Sequence, residues 1–136
     1  MLRVRTYLDR SIIHGIGLFA DEDIPEGRVV WEFSAQVDLV FGKAEWERLL
    51  EYCAPESMEQ IRKYSYKEGQ RYYVCFDNAQ FMNHDPARAN VISGDTLDSM
   101  VAARAIRTGE ELLCDYFEYS DPDDYNLCQI RRPGQG

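Results

Sequence analysis

Residues 80–90, QFMNHDPARAN, place Asn83 and His84 directly behind the apolar pair Phe81-Met82, and Asn90 ends the segment. Adjacent Asn and His side chains offer hydrogen-bonding groups at the end of a short apolar run, which is where a ligand site at a strand end would need them. By itself the segment also fits a polar turn in which both asparagines bond to their own backbone. Its meaning therefore depends on what precedes and follows it in the chain.

Two further motifs flank this segment in the sequence. Residues 14–20, HGIGLFA, carry Gly15 and Gly17 one residue apart, a spacing that allows a sharp turn and a close approach of backbone to ligand. Residues 109–116, GEELLCDY, lead from a turn glycine into a short strand that ends in an acid and Tyr116. Taken singly, the first is typical of a tight turn between strands, and the second of a buried tyrosine with a bonded hydroxyl.

The rest of the chain alternates short strand patterns with turn residues, as in a mostly β domain. The strand patterns lie at residues 2–7, 29–33, 36–41, 70–76, 90–92, 97–106 and 110–114. Apolar residues recur at helical spacing in residues 43–53, and a weaker helical pattern follows to residue 64. We therefore predict a helical insertion at about 43–64, and a Pro- and Asp-rich tail that is mobile unless its aromatic residues dock.

Composition restricts the class of protein. The 136 residues carry 15 basic and 24 acidic side chains, and the net charge of −9 argues against direct binding of nucleic acid through its phosphates. No apolar run reaches the length of a membrane span, and the N-terminal residues lack the apolar core of a secretory signal. The four cysteines are scattered and form no CxxC pair, so the sequence predicts reduced thiols, a cytoplasmic protein and no metal site.

In this order, the three segments resemble the SET domain, the fold of protein lysine methyltransferases. HGIGLFA, QFMNHDPARAN and GEELLCDY are similar to the family's GxGLFA-like opening, RFINHS…PN-like loop and GEEL…DY segment. The resemblance implies a mostly β fold of the β-clip type, with several short curved sheets and a knot-like core near the C-terminus. It assigns residues 1–119 to a minimal, stand-alone SET domain and residues 120–136 to a post-SET-like tail without zinc-binding cysteines.

The cofactor implied by this resemblance is S-adenosylmethionine. The backbone of the first segment, at Gly15, Ile16, Gly17 and Leu18, would approach the methionine end of this cofactor. A Cβ at either glycine could obstruct that approach. Asn83 would bond the amino-acid part of the cofactor, and His84 would bond its adenine, mainly through the backbone. Tyr116 is the implied catalytic residue, at the junction of the cofactor and lysine sites, and the reaction needs no metal.

The resemblance also implies a desolvated channel for the target lysine, with walls that we expect to include Tyr73, Cys114, Phe117 and Tyr119. Such a channel lowers the pKa of the lysine amine by disfavouring the ammonium. In the family, the position of Cys114 influences how many methyl groups are added. A thiol is smaller than the Phe or Tyr usual there, which predicts tolerance for di- or trimethylation.

The expected substrate is a lysine in a basic protein such as a histone, which would place the protein at chromatin in a eukaryotic nucleus. Seven acids and no Lys or Arg lie in residues 110–124, beside Tyr116. Such a field speeds encounter with a basic partner, although a solvated tail that improves solubility is an equal alternative. Without a zinc module, residues 117–128 or a homodimer partner would have to close the lysine channel.

Three positions depart from the family pattern. Gln80 stands where Arg is common, Asp85 replaces Ser, and Ala89 replaces Pro. The altered loop and the missing zinc module leave open an alternative function, a catalytically weak SET-fold module for protein interaction. A methyltransferase for a small molecule or a non-histone protein is a third interpretation.

Overall fold

Short strands joined by tight turns account for most of the regular structure in the computed structural model, which describes residues 1–96 and 98–131. In chain order the strands are β1 Thr6–Arg10, β2 Ile16–Ala20, β3 Val29–Glu32, β4 Asp38–Phe41, β5 Ser65–Glu68, β6 Arg71–Cys75, β7 Asn83–His84, β8 Val91–Ser93, β9 Ser99–Ala102 and β10 Leu113–Cys114. The helices are α1 Lys43–Tyr52, α2 Pro55–Lys63, α3 Tyr116–Tyr119 and α4 Tyr125–Arg131, with a 3-10 turn at Asn78–Phe81. The predicted mostly β class with a small helical insertion is confirmed.

The strands form small separate sheets, and one pair of strands differs from the others in direction. β1 pairs with β2, β9 lies between β3 and β8, and β6 lies between β4 and β5, all antiparallel. β7 and β10 run parallel, with Asn83 opposite Leu113 and His84 opposite Cys114. This pair brings the second and third sequence segments side by side, as the resemblance implies for the C-terminal core.

The loop that follows β7 holds β10 from both ends. The Asp85 N–H donates to the Cys114 carbonyl at 3.1 Å, and the Asn90 N–H donates to the Leu113 carbonyl at 3.0 Å. The Asn90 side chain accepts from the Leu113 N–H at 2.9 Å and is almost fully buried. Because both asparagines bond to distant backbone, the interpretation of residues 80–90 as a self-contained polar turn is wrong.

The main hydrophobic core lies where β2, β3, β8, β9 and β10 meet. Its buried members are Leu18, Ala20, Ile24, Val30, Met82, Val91, Ala102, Ile106, Leu112 and Cys114. Side chains from the flanks of all three motifs contribute to it, so packing of the core and formation of the site are one event. Within the described residues, no helix is both long enough and apolar enough to cross a membrane.

The helical insertion packs on the sheet formed by β4, β6 and β5. Trp46 of α1 stacks on Tyr72 of β6 with ring centroids 4.7 Å apart and an interplanar angle of 8°. Strand β5 is absent from the sequence prediction, and a turn with positive φ at Gly69 (57°) and Gln70 (64°) joins it to β6. Such a pair of angles is typical of two-residue hairpins, whose twist matches that of the strands.

The tail is anchored on the outer edge of β5. The Asp121 N–H donates to the Lys67 carbonyl at 2.6 Å, and the Lys67 N–H donates to the Asp124 carboxylate at 2.7 Å. The same carboxylate accepts from the N–H groups of Asn126 and Leu127, which caps the start of α4. The ring of Tyr125, the aromatic residue of the tail, lies against the Arg62 guanidinium with its centroid 5.8 Å from the Arg62 Cζ, so the condition of a docked aromatic is met and the tail forms α4 up to residue 131.

Three strand predictions need correction. The first strand begins at Thr6 rather than at residue 2, because Leu2 instead forms an isolated bridge with Trp31. In residues 110–114 only β10 belongs to a strand, since Glu111 makes an isolated bridge with Phe19. Of the strand predicted at residues 97–106, the structure has only β9 as a strand. The first residue of that prediction, Leu97, lies outside the described residues.

We expect Asp124→Ala to lower the free energy of unfolding by about 2–4 kcal/mol, because it removes the cap of α4 and leaves the buried Lys67 N–H without an acceptor. Urea unfolding followed by tryptophan fluorescence measures this. Asp124→Asn keeps one acceptor oxygen and should lose less. Glu59→Ala, on the exposed face of α2, is a surface control that should change stability by less than about 0.5 kcal/mol. An Asp124→Ala loss no larger than that control would contradict the anchoring role.

Candidate active site

Two cavities meet at the side chain of Tyr116. The aromatic cavity, of about 260 Å³, has aromatic and thioether side chains in its wall, among them Trp31, Tyr64, Tyr66, Met82, Met100 and Tyr119, and polar and charged residues, including Lys63, Glu68, Asp95 and Asp98, line the rest. The glycine cavity, of about 410 Å³, is lined on one side by Ile13, His14, Gly15, Ile16, Asn83 and His84. Tyr116 lines both cavities, as do Lys63, Tyr64, Gln80 and Asn126, so these five residues form their boundary.

The two glycines of the first segment serve different purposes. Gly15 has a φ of +50°, and no atom lies within 4 Å of the place where its Cβ would stand. Backbone conformation, not space, therefore favours glycine at that position. At Gly17 the constraint is space, because a Cβ would collide with the Glu111 carboxylate and lie 3.0 Å from the Ser11 Cβ. A side chain at Gly17 would therefore collide with Glu111, whereas the resemblance implied that it would obstruct the cofactor.

The structure gathers part of the predicted cofactor set around the glycine cavity: Gly15, Ile16, Asn83 and His84. Leu18 is not among the lining residues, because its side chain is fully buried in the core and its carbonyl accepts from the Leu112 N–H at 2.7 Å. Gly17 is also set back from the cavity. His14, to which the sequence assigned no role, is a lining residue.

The Asn83 side chain is buried and its orientation is determined by its neighbours. Its Nδ2 lies 2.9 Å from the His14 carbonyl, 3.2 Å from the Ile16 carbonyl and 3.1 Å from Glu111 Oε1. Three acceptor oxygens around one atom identify that atom as the amide nitrogen. The side chain therefore ties β7 to the glycine segment, and its Oδ1 is left as the acceptor of this amide.

His84 is neutral by geometry. Its Nδ1 accepts from the Tyr116 backbone N–H at 2.9 Å, so this nitrogen carries no proton. Burial lowers the pKa of His84, and the nearby carboxylates of Asp115 and Asp85 oppose that shift only in part. The 3.7 Å approach of Asp115 to Nδ1 is therefore not an ion pair in the neutral state.

The Tyr116 side chain is half-buried and its hydroxyl is oriented. The hydroxyl donates to the Met82 carbonyl at 2.8 Å, which turns the oxygen lone pairs away from that carbonyl. Burial is the main cause that raises the pKa of Tyr116 far above its ordinary value, so the phenol stays protonated at neutral pH. The ring packs against His84 at 4.9 Å and edge-on to Tyr119 at 6.1 Å.

Two of the four predicted channel residues line the aromatic cavity, Cys114 and Tyr119. Their side chains lie 3.6 Å apart between Sγ and Oη, and burial raises the pKa of the Cys114 thiol to about 12. Tyr73 lies one layer behind, stacked on Tyr66 at 4.9 Å, and Phe117 contacts the His84 ring at 5.3 Å, outside the cavity. The channel role of all four stays a prediction.

Sequence reasoning missed Tyr66, the aromatic residue of β5 that lines the cavity directly. Its register opposite Tyr73 follows from the hairpin at Gly69-Gln70. The available signal was that hairpin turn, together with the alternation of buried Ser65 and Lys67 with Tyr66 and Glu68.

The acids near the site divide into two groups. Those of residues 110–124 are largely committed to internal contacts: Glu110 to Arg104, Asp121 to the N–H groups of residues 69 and 70, Asp123 to Lys67, and Asp124 to the start of α4. Glu110 and Asp123 are thus paired with bases, whereas Asp121 and Asp124 accept from neutral N–H groups, so attraction of a basic partner to this flank stays a prediction. Glu68, Asp95 and Asp98 line the aromatic cavity instead. Burial and the neighbouring acids Asp98 and Asp121 raise the pKa of Glu68.

In the part of the chain that the structure describes, no group of three or more His, Cys, Asp or Glu side chains could hold a metal ion. All four cysteines are free, and Cys75 and Cys114 are buried.

Comparison with known families gives a match to the SET domain over residues 15–117. That range begins at the first glycine of the turn and ends one residue after Tyr116, so it contains the three motifs. No curated protein has a matching sequence.

Solved structures with a similar fold include three that differ in how much of their chain is matched. A proposed histone methyltransferase of Plasmodium falciparum has a TM-score of 0.54 at 15% identity, with 85% of this chain and 95% of that chain covered. The Chaetomium thermophilum Polycomb Repressive Complex 2, autoinhibited and bound to S-adenosylmethionine, has a TM-score of 0.65 at 21% identity, with 96% and 17% covered. The Cryptosporidium protein SET8 has a TM-score of 0.58 at 20% identity, with 85% and 58% covered. At these identities the likeness shows the fold.

Stability should depend on pH through His84. Because burial lowers its pKa, protonation costs more in the folded than in the unfolded chain, and it also breaks the bond from the Tyr116 N–H. The stability that neutral His84 contributes should be complete above the ordinary His pKa of about 6.5 and be lost as pH falls towards the lowered folded value.

Urea unfolding between about pH 7.5 and pH 5.5 measures this dependence. His84→Gln offers an acceptor that does not titrate, so the slope should flatten in that variant. An unchanged slope in His84→Gln would contradict the assignment.

Proposed function

Because this chain belongs to the SET-domain family of lysine methyltransferases, we propose that it is an S-adenosylmethionine-dependent protein-lysine N-methyltransferase. The observation that carries the proposal is the pair of cavities joined at Tyr116. A methyl transfer needs a cofactor and an amine on opposite sides of one reacting carbon, and two adjoining cavities provide separate places for them.

The glycine cavity fits the cofactor. Its volume of about 410 Å³ lies within the range common for small-molecule sites. The Oδ1 of Asn83 would accept from the cofactor's ammonium group, and Gly15, which has no side chain, would let the cofactor approach the backbone closely at that point of the wall. S-adenosylmethionine would supply a methyl group on a sulfonium, which makes the carbon electrophilic and the thioether a good leaving group.

The aromatic cavity suits a lysine amine. A free lysine has a pKa of about 10.4 and is charged at neutral pH, and its ammonium has no lone pair for attack. Burial among Tyr66, Tyr116 and Tyr119 would favour the neutral amine by desolvation. The Tyr116 hydroxyl donates its proton to the Met82 carbonyl, so the phenol oxygen keeps its lone pairs free to accept from the amine N–H. That bond would orient the lone pair of the amine nitrogen. Alignment of this kind can lower a barrier by several kcal/mol.

A lysine in a basic protein such as a histone is the proposed substrate. Glu68, Asp95 and Asp98 at the aromatic cavity support it, because carboxylates there would attract a cationic segment. The tail supports closure within one chain, since Asn126 of α4 lines both cavities, and a homodimer partner is not needed for that purpose. The cytoplasmic location stays a prediction.

We expect Tyr116→Phe to lower kcat by about 10² or more while it changes the Kd for S-adenosylmethionine by less than about threefold. The variant keeps the ring but removes the oxygen that orients the amine. Calorimetry measures cofactor binding, and radiolabelled methyl transfer to histones and to lysate proteins measures the rate. Wild-type protein that binds no cofactor would favour the alternative, an interaction module without catalysis. Full activity in Tyr116→Phe would refute the catalytic assignment alone.

The number of methyl groups added should depend on Cys114. Cys114 lines the aromatic cavity and its thiol is smaller than an aromatic side chain, so wild-type product should include di- or trimethyllysine. Cys114→Tyr should shift the product towards monomethyllysine. Mass spectrometry of peptide products over time measures the distribution, and a wild-type enzyme that stops at one methyl group would contradict this prediction.

A further inference from the structure

Glu111 stands directly behind the residues of the glycine cavity without lining it. Its Oε1 accepts from the Asn83 amide at 3.1 Å. Its backbone is held in place on both sides, since it bridges to Phe19 of β2 and its carbonyl accepts from the Asn90 amide at 2.9 Å. The carboxylate is therefore presented to Asn83 from a rigid part of the fold.

Gly17 is coupled to the same carboxylate by space. A Cβ on Gly17 would collide with the Oε1 and Cδ atoms of Glu111. Since the far end of a glutamate side chain can rotate, an added methyl group would push the carboxylate away from Asn83 and leave the backbone in place. The absence of a side chain at Gly17 is thus what allows Glu111 to reach Asn83.

The Asn83 amide depends on this contact for its position. The two N–H groups on its Nδ2 donate to three acceptors, which are the carbonyls of His14 and Ile16 and the Glu111 carboxylate. The two carbonyls belong to the turn at Gly15. The carboxylate belongs instead to Glu111, which follows Asn83 by 28 positions in the chain. It is also the charged acceptor, and hydrogen bonds to charged groups are the stronger ones.

We propose that Glu111 is a positioning residue for the cofactor, which holds the Asn83 amide so that its Oδ1 faces the ligand, and that Gly17 is glycine to make room for it. The inference rests on the proposed function, because it assumes that the glycine cavity binds S-adenosylmethionine. It adds a residue that neither touches the cofactor nor lines its cavity, and a reason for the second glycine that does not involve the cofactor directly.

The experiment is a double-mutant cycle on full-length protein, read as the Kd for S-adenosylmethionine by calorimetry. Glu111→Ala should raise the Kd about tenfold, the loss of one charge-assisted hydrogen bond, and Gly17→Ala should raise it by a similar factor. In the Glu111→Ala background, Gly17→Ala should add less than about threefold, because the carboxylate it displaces is already gone. Glu111→Gln keeps an acceptor oxygen and should restore most of the affinity.

Controls separate this role from a general loss of structure. Gly15→Ala meets no side chain, so its effect should add fully to that of Glu111→Ala. Glu110→Ala removes the neighbouring acid, which is bonded to Arg104, and should leave the Kd within about twofold. The KM for a peptide substrate should stay within about twofold in Glu111→Ala while the KM for the cofactor rises with its Kd.

The free energy of unfolding provides a readout that needs no cofactor. The same cycle in urea should be non-additive for Gly17 with Glu111 and additive for Gly15 with Glu111. Wild-type binding combined with additive Kd effects, or no recovery in Glu111→Gln, would overturn the inference and leave the proposed function intact. A wild-type protein that binds no S-adenosylmethionine would overturn both, whatever the unfolding cycle gives.

Discussion

The parallel pairing of Asn83–His84 with Leu113–Cys114 connects two segments that are 28 residues apart in the chain, and the site is built on this connection. Two residues on each strand form too short a ladder to be stable alone. Asn90 completes it, because its backbone and its buried amide both bond to residues 111 and 113. With this pair in register, His84 receives the Tyr116 N–H and Asn83 reaches the turn at Gly15.

The closure of the site depends on a second set of contacts, between the tail and the edge of β5. An edge strand presents unpaired backbone groups, and here a carboxylate and one backbone bond satisfy those of Lys67. The Asn126 amide donates to the Ser65 carbonyl at 2.9 Å and to carbonyls at the end of α2. Since Asn126 lines both cavities, the same contacts that cover the edge also complete the walls.

Three groups that meet at the centre of the site are uncharged. His84 is neutral because its Nδ1 accepts an N–H, and burial keeps the Tyr116 phenol and the Cys114 thiol protonated. Charged side chains line the cavities around them: Lys63 in both, and the acids Glu68, Asp95, Asp98 and Asp124 in the aromatic cavity. An uncharged centre disfavours an ammonium, while the acids outside it favour a cationic segment, so the arrangement is consistent with a substrate that arrives charged and reacts neutral.

The sequence by itself determined the mostly β class, the helical insertion and the three motifs that meet at the site, because local spacing of apolar residues, glycines and prolines carries that information. It could not determine which side chains face the cavities. Tyr66 and Tyr73 stand opposite each other on one face of the sheet, but Tyr66, on the edge strand β5, lines the aromatic cavity, whereas Tyr73, on the central strand β6, does not. Leu18 is buried in the core although its motif borders the site. Tertiary structure alone committed the acids of the tail to backbone N–H groups and placed Glu111 against Gly17. The contacts of Asp124 with Lys67 and of Glu111 with Gly17 join residues 57 and 94 positions apart, and their partners are set by the packing of the whole chain.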